Sequence, residues 1–80
     1  MRLIIEDVNQ AKEFLKEGAI FVLDGRGIYS GFKDSDKKTS QHTFVRWDDN
    51  GDLICRGYRK RKLSRLPVDY FNQQIMLLKQ

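Results

Sequence analysis

TFVRWDDNGDLICRGY, residues Thr43–Tyr58, is the stretch that decides the fold, because two apolar runs flank a turn-forming sequence. Asn50 and Gly51 both tolerate positive φ and predict a hairpin closed by a type I′ turn. Phe44 and Cys55 would lie on one side of that hairpin, and a one-residue bulge would exchange the sides of one strand. The other side would carry the cross-strand pairs Val45 with Arg56, Trp47 with Ile54, and Thr43 with Tyr58.

The segments before this hairpin predict a strand, a helix and a second strand. Leu3–Ile5 is typical of a short strand. Asp7 can cap a helix over Val8–Glu17, which Gly18 would end because glycine readily adopts positive φ. Ala19–Leu23 is a continuous apolar run of the kind found in strands covered on both faces, and we expect it in the centre of a sheet.

The remaining segments complete the expected fold. Gly25–Gly27 indicates a turn before a strand at Ile28–Phe32, since its spacing does not fit a nucleotide-binding glycine loop. A C-terminal helix from about Pro67 to Lys79 is predicted by the helical spacing of Val68, Phe71, Ile75 and Leu78. We therefore expect one small α+β domain over residues 1–80. It would be a mostly antiparallel sheet or small open barrel of about five strands, with an N-terminal and a C-terminal helix.

Charge is distributed unevenly along the chain. Fifteen Lys and Arg against eleven Asp and Glu give a net charge of +4, and 40% hydrophobic residues exclude a disordered chain. Six of the fifteen basic residues lie in Arg56–Arg65, which we call the basic segment, and no acid occurs between Asp52 and Asp69. Without these six, nine basic residues remain against eleven acidic ones, a balance of −2. The positive charge is therefore concentrated in one place.

The basic segment is the candidate binding site. It would join the last strand of the hairpin to the C-terminal helix, where phosphate groups are natural partners because Lys and Arg release condensed counterions on binding them. Tyr58 can stack on a base, while Ser64 and the first amides of the helix offer anion donors. The candidate contacts are Arg56, Tyr58, Arg59, Lys60, Arg61, Lys62, Ser64 and Arg65, with Arg26 and Trp47 as possible additional contacts.

Residue counts argue against catalysis and metal binding. His42 is the only histidine and Cys55 the only cysteine, whereas a nucleophile needs a base and an orienting group, and zinc needs about four ligands. We expect His42 at a strand edge and Cys55 within the sheet. Asp48, Asp49 and Asp52 lack the distal Glu of a calcium loop and are interpreted as turn formers. We expect no enzyme activity, no metal and no cofactor.

The sequence also bears on location and self-association. No apolar run reaches the roughly 20 residues of a membrane span. Acids follow the first apolar run too closely for a secretory signal, and a single cysteine fits the reducing cytoplasm. Ile75–Leu78 would place apolar side chains all round the last turn of the predicted helix, either as a closed core end or as a homodimer contact.

Two functions are left open by these patterns. The first is a nucleic-acid-binding or regulatory module whose basic segment contacts the phosphates of DNA or RNA. The alternative is a small adaptor or inhibitor, such as an accessory protein of a phage or mobile element, that docks this segment on an acidic protein surface. A solvated charge run that only keeps the protein soluble is the third interpretation of the same residues.

Overall fold

A computed structural model describes residues 3–23, 38–67 and 75–79 of the chain. These residues form a six-stranded antiparallel sheet in the order β1-β6-β2-β3-β4-β5, with one short helix and one 3-10 turn. The strands are β1 (Leu3–Ile5), β2 (Ile20–Leu23), β3 (His42–Trp47), β4 (Leu53–Gly57), β5 (Leu63–Leu66) and β6 (Ile75–Lys79). The helix α1 is Val8–Phe14, and the 3-10 turn is Lys38–Ser40. The predicted strand Ile28–Phe32 and its preceding turn lie outside the described residues.

Helix α1 begins where the sequence predicts and ends earlier. The Oδ1 of Asp7 accepts the backbone N–H of Gln10 at 2.8 Å, and Gln10 Oε1 accepts the N–H of Glu6 at 2.9 Å. The first bond satisfies a donor that the first helical turn leaves free, and the second holds the residue just before the cap. The helix ends at Phe14 instead of Glu17 because Leu15 is already extended, which places its side chain in the core.

The predicted C-terminal helix is wrong. Ile75–Lys79 forms β6, which lies between β1 and β2 and pairs antiparallel with both. Ile75 and Leu77 are buried on one face of this strand, and Met76 is buried on the other. A strand buried on both faces has a continuous apolar run, and a run this short fits helical spacing equally well. Residues 68–74 lie outside the described residues, and the homodimer contact assigned to the helix loses its basis.

The hairpin of β3 and β4 is present, but its turn differs from the predicted type I′ turn. Of its two central residues only Gly51 has positive φ, at 84°, and Asn50 does not. The carboxylate of Asp48 closes the loop instead, since its Oδ1 accepts the N–H groups of Asn50 and Asp52, each at 2.9 Å. Three residues, 49–51, therefore separate Asp48 from Asp52, whose backbone groups bond at 2.9 Å.

The longer turn goes with a bulge in β3, which makes the predicted register wrong. Phe44 pairs with Cys55 and Arg46 pairs with Ile54, so Val45 is the extra residue of the bulge. Trp47 consequently lies opposite Leu53, not Ile54. Phe44 and Cys55 share a face as expected, but Trp47 joins them there.

The hydrophobic core lies between α1 and one face of the sheet, which we call the core face. Its buried members are Ile5, Ala11, Leu15, Ala19, Phe21, Phe44, Leu53, Cys55, Ile75 and Leu77. The side chains between them along the strands lie on the opposite face, where Val22, Ile54 and Met76 are also buried. The strand β2 is thus covered on both faces, as its apolar run predicts.

The turn geometry predicts different costs for two neighbouring substitutions. Gly51→Ala should lower the free energy of unfolding by about 1–2 kcal/mol, because an L side chain at positive φ is strained. Space is not the cause, since an added Cβ would meet no atom within 4 Å. The matched variant Asn50→Ala should stay within about 0.5 kcal/mol of the parent. Equal losses for both variants in urea denaturation would indicate the type I′ turn after all.

Candidate anion-binding surface

The basic segment is the second hairpin of the sheet, not a loop before a helix. Lys60 donates its backbone N–H to the carbonyl of Gly57 at 3.1 Å, which closes the turn between β4 and β5. Leu63–Leu66 then pairs antiparallel with β4 as an edge strand. Ser64 therefore lies in a strand, and the helix amides expected beside it would belong to residues 68–74, outside the described residues. The physical reason is that β4 offers a free edge on which the chain can continue the sheet.

The turn between β4 and β5 carries four consecutive exposed cations, Arg59, Lys60, Arg61 and Lys62. The guanidinium of Arg59 lies over the ring of Tyr58, 5.2 Å from its centroid. One face of the Tyr58 ring, on which a base could stack, is therefore already in contact with the Arg59 guanidinium. Arg59 also has φ of 56°, a left-handed conformation that is uncommon for a residue with a side chain.

The cross-strand register decides on which face of the sheet each of the other predicted contact residues lies. Arg56 pairs with Leu63 and lies on the opposite face, next to the turn. Ser64 pairs with Cys55, which places it on the core side of the edge strand. Trp47 is partly buried against the core, where its ring lies 5.5 Å from that of Phe44. The structure brings Arg56 and Tyr58 together with the four turn cations and separates Ser64 and Trp47 from them. Arg26 lies outside the described residues.

Arg65 is paired with acids of the other hairpin. Its Nε lies 3.2 Å from Oδ2 of Asp48 and 4.0 Å from Oδ2 of Asp52. The Asp48 oxygen has no aligned hydrogen-bond donor, so the contact is an ion pair without a directed hydrogen bond. Because the Arg65 side chain is 59% exposed, solvent weakens this attraction. Arg65 thus joins the two hairpins more than it adds free positive charge.

Arg46 belongs to this surface, although the sequence did not single it out. It pairs with Ile54, whose partner on the other side is Arg65, so the three residues form one row across β3, β4 and β5. Arg56 is two residues beyond Ile54 and is the diagonal neighbour of Arg46, at about 7–8 Å between Cα atoms. Only the bulge at Val45 directs Arg46 to this face. The sequence signal for this bulge was the three-residue spacing of Phe44 and Trp47, two aromatic residues that both suit a core but would lie on opposite faces of a regular strand.

The two ends of β4 carry opposite charge. Asp48, Asp49 and Asp52 surround the first turn, and the four cations 59–62 surround the second. Strand β4 is Leu53–Gly57, whose first and last Cα atoms are about 14 Å apart at roughly 3.4 Å per residue. This separation exceeds the Debye length of about 8 Å at physiological salt, so the acids weaken the positive potential at the basic end only slightly. An anion is attracted to one end of the hairpin pair and repelled at the other.

His42 and Cys55 lie in β3 and β4, beside this surface. His42 begins β3 with its ring stacked on Phe21 at 5.5 Å, and its Nδ1 is buried with no hydrogen-bond partner in the described part of the chain. Burial lowers the pKa of His42 below its ordinary 6.5. Burial also raises the pKa of the Cys55 thiol to about 11. Among the described residues, no three His, Cys, Asp or Glu side chains are grouped to hold a metal ion.

In residues 3–23, 38–67 and 75–79, no helix has both the length and the apolar character needed to cross a membrane.

The low pKa of His42 predicts a loss of stability in mild acid. The unfolded chain binds a proton near pH 6.5 and the folded chain only at lower pH, so protonation favours unfolding. The free energy of unfolding should therefore fall as pH drops from about 7.5 to about 5.5. His42→Gln should flatten this slope in urea titrations at each pH. A wild-type protein equally stable across that range would contradict the assignment.

Burial of Cys55 predicts an unreactive thiol. A nucleophilic thiolate is scarce at neutral pH when the pKa is about 11, and the side chain is fully buried. Ellman's reagent should label the denatured protein stoichiometrically and the folded protein only at the rate of unfolding. Prompt labelling of the folded protein at neutral pH would show that the sheet opens at β4.

The sequence has no counterpart among the proteins it was compared with. No family model, no curated protein and no solved structure matches it. What the chain binds is therefore inferred from the charge and geometry of the surface itself.

Proposed function

We propose that this protein binds the phosphate backbone of a nucleic acid, DNA or RNA, through the turn between β4 and β5. The observation that carries the proposal is the acid-free end of this hairpin, where Arg56 and the four turn cations are exposed together. In the described part of the chain, no carboxylate pairs with any of these five side chains. Uncompensated cations this close together gain most from a partner that carries a row of phosphates.

The backbone of Arg59 supports a binding role for the turn. A left-handed conformation costs an L-residue about 1–2 kcal/mol, and glycine would adopt it without this cost. A long cationic side chain at such a position destabilises the fold and is useful only for what it contacts. Its contact with Tyr58 orients the guanidinium at the tip of the hairpin. The strained residue is therefore at the place where the positive charge is highest.

The proposal describes a binding function without a chemical step. His42 and Cys55, the only histidine and the only cysteine of the sequence, are held in the sheet without catalytic partners among the described residues. The reducing cytoplasm remains the proposed location, because a free thiol such as Cys55 persists there.

One observation favours the adaptor alternative. Strand β5 is an edge strand, and Leu63 on it is 42% exposed. The free side of an edge strand offers backbone donors and acceptors to an extended peptide, and the nearby cations would favour an acidic one. Capture of one stoichiometric protein from nuclease-treated lysate would support this function. Loss of all partners after nuclease treatment would support the nucleic acid.

The proposed function is tested by removing the charge of the turn. A variant with Arg59, Lys60, Arg61 and Lys62 changed to Gln should lose affinity for duplex and single-stranded DNA and RNA. The slope of log affinity against log salt should become less negative by about 0.9 for each lost phosphate contact on B-DNA and about 0.7 on single strands. Fluorescence anisotropy at several salt concentrations measures both quantities.

A matched control removes the same charge elsewhere. Lys12, Lys16, Lys38 and Lys79 are exposed and lie outside the basic segment, so changing all four to Gln gives the same net charge. This control should keep the affinity and most of the salt slope. Equal losses in both variants would show that net charge alone attracts the nucleic acid. Failure of the wild-type protein to bind any of the four nucleic acids would disprove the proposal.

A further inference from the structure

We infer that the bound backbone continues from the turn across the opposite face of the sheet, with Arg56 and Arg46 binding successive phosphates of one polyanion. This inference rests on the proposed function and adds a surface to it. Arg46 is 13 positions from Arg59 in the sequence, outside the basic segment. The partner would be a nucleic-acid strand long enough to cross β5, β4 and β3, not an isolated phosphate or a nucleotide.

The three arginines of this face lie close together. Arg46 and Arg65 flank Ile54 in one row across the strands, and Arg56 is the diagonal neighbour of both. Diagonal neighbours lie about 7–8 Å apart, a distance that long side chains can span. Arg65 is paired with Asp48, so the cations of this face without a carboxylate partner in the described part of the chain are Arg46 and Arg56. Like charges at this distance repel, and a polyanion that passes over both relieves the repulsion between them.

Arg46 is weakly held in the absence of a partner. Its side chain is exposed, and among the described residues its one polar contact is a hydrogen bond from Nη1 to the carbonyl of Trp47 at 3.5 Å. This distance is at the outer limit for a hydrogen bond, so exchanging it for a phosphate contact costs little. Arg65, in contrast, is already paired with Asp48. Free positive charge on this face therefore lies at Arg46 and Arg56.

The acids of the first hairpin loop mark where this surface ends. Asp48 and Asp52 lie on the same face, beyond Arg46 as seen from the turn, and would repel a phosphate backbone. A polyanion that enters at the turn is therefore directed over Arg56 toward β3 and away from the first hairpin loop. The positions of the cations and acids therefore set the path of the polyanion and the point at which the binding surface ends.

The test compares Arg46 with an exposed cation on the core side. Arg46→Gln should reduce the steepness of the salt slope by about 0.9 on duplex DNA or about 0.7 on a single strand, as expected for one phosphate contact. Arg46→Lys should retain the slope, because the charge is kept. Lys12→Gln, which removes a cation on α1, should leave the slope unchanged. Circular dichroism and urea denaturation of each variant confirm that the fold is retained.

Each outcome of this titration assigns the failure to one of the two proposals. A salt slope that is unchanged in Arg46→Gln but reduced in the variant lacking the four turn cations would overturn the extended surface and keep the function. Equal binding of oligonucleotides too short to leave the turn and of longer ones would also overturn it. Absence of binding by the wild-type protein would disprove the proposed function itself.

Discussion

Side chains alternate along a β-strand, so two residues three positions apart can share a face only if one residue between them is left out of the pairing. Phe44 and Trp47 are such a pair, and both contact the core with their rings 5.5 Å apart. Val45 is the residue left out. The same shift places Arg46 on the opposite face, so one bulge completes the core and also positions a cation.

The sheet around this hairpin is held together by its last strand. Strand β6 fills the position between β1 and β2, and its residues Ile75 and Leu77 are in the core with Ile5 and Phe21. The pairing of Leu3 with Leu77 joins residues 74 positions apart in the sequence, so this contact closes a long loop. Such long-range pairings pay their loop-closure entropy before they gain stability, and they slow folding relative to local contacts. The hairpins of β3, β4 and β5, in contrast, are local in the sequence.

The two faces of the sheet carry different kinds of residue. On the core face, Leu15 just after α1 and Leu53 of β4 belong to one buried apolar cluster. The opposite face combines a buried apolar part, represented by Met76, with the arginines of β3, β4 and β5. Acids surround one turn of the hairpin pair and cations the other, so the charge is distributed asymmetrically along β4.

Sequence alone determined the parts of this protein that depend on neighbouring residues. The cap at Asp7, the hairpin over Thr43–Tyr58 and the concentration of charge in Arg56–Arg65 follow from local chemistry, because each needs only residues close in the chain. Only the tertiary structure decided that Ile75–Lys79 is a strand, since its apolar run fits a helix until β1 and β2 cover both of its sides. The tertiary structure likewise decided that Leu63–Leu66 continues the sheet and that Arg46 joins the cations. Strand pairing and register are properties of two segments together, and neither segment contains them by itself.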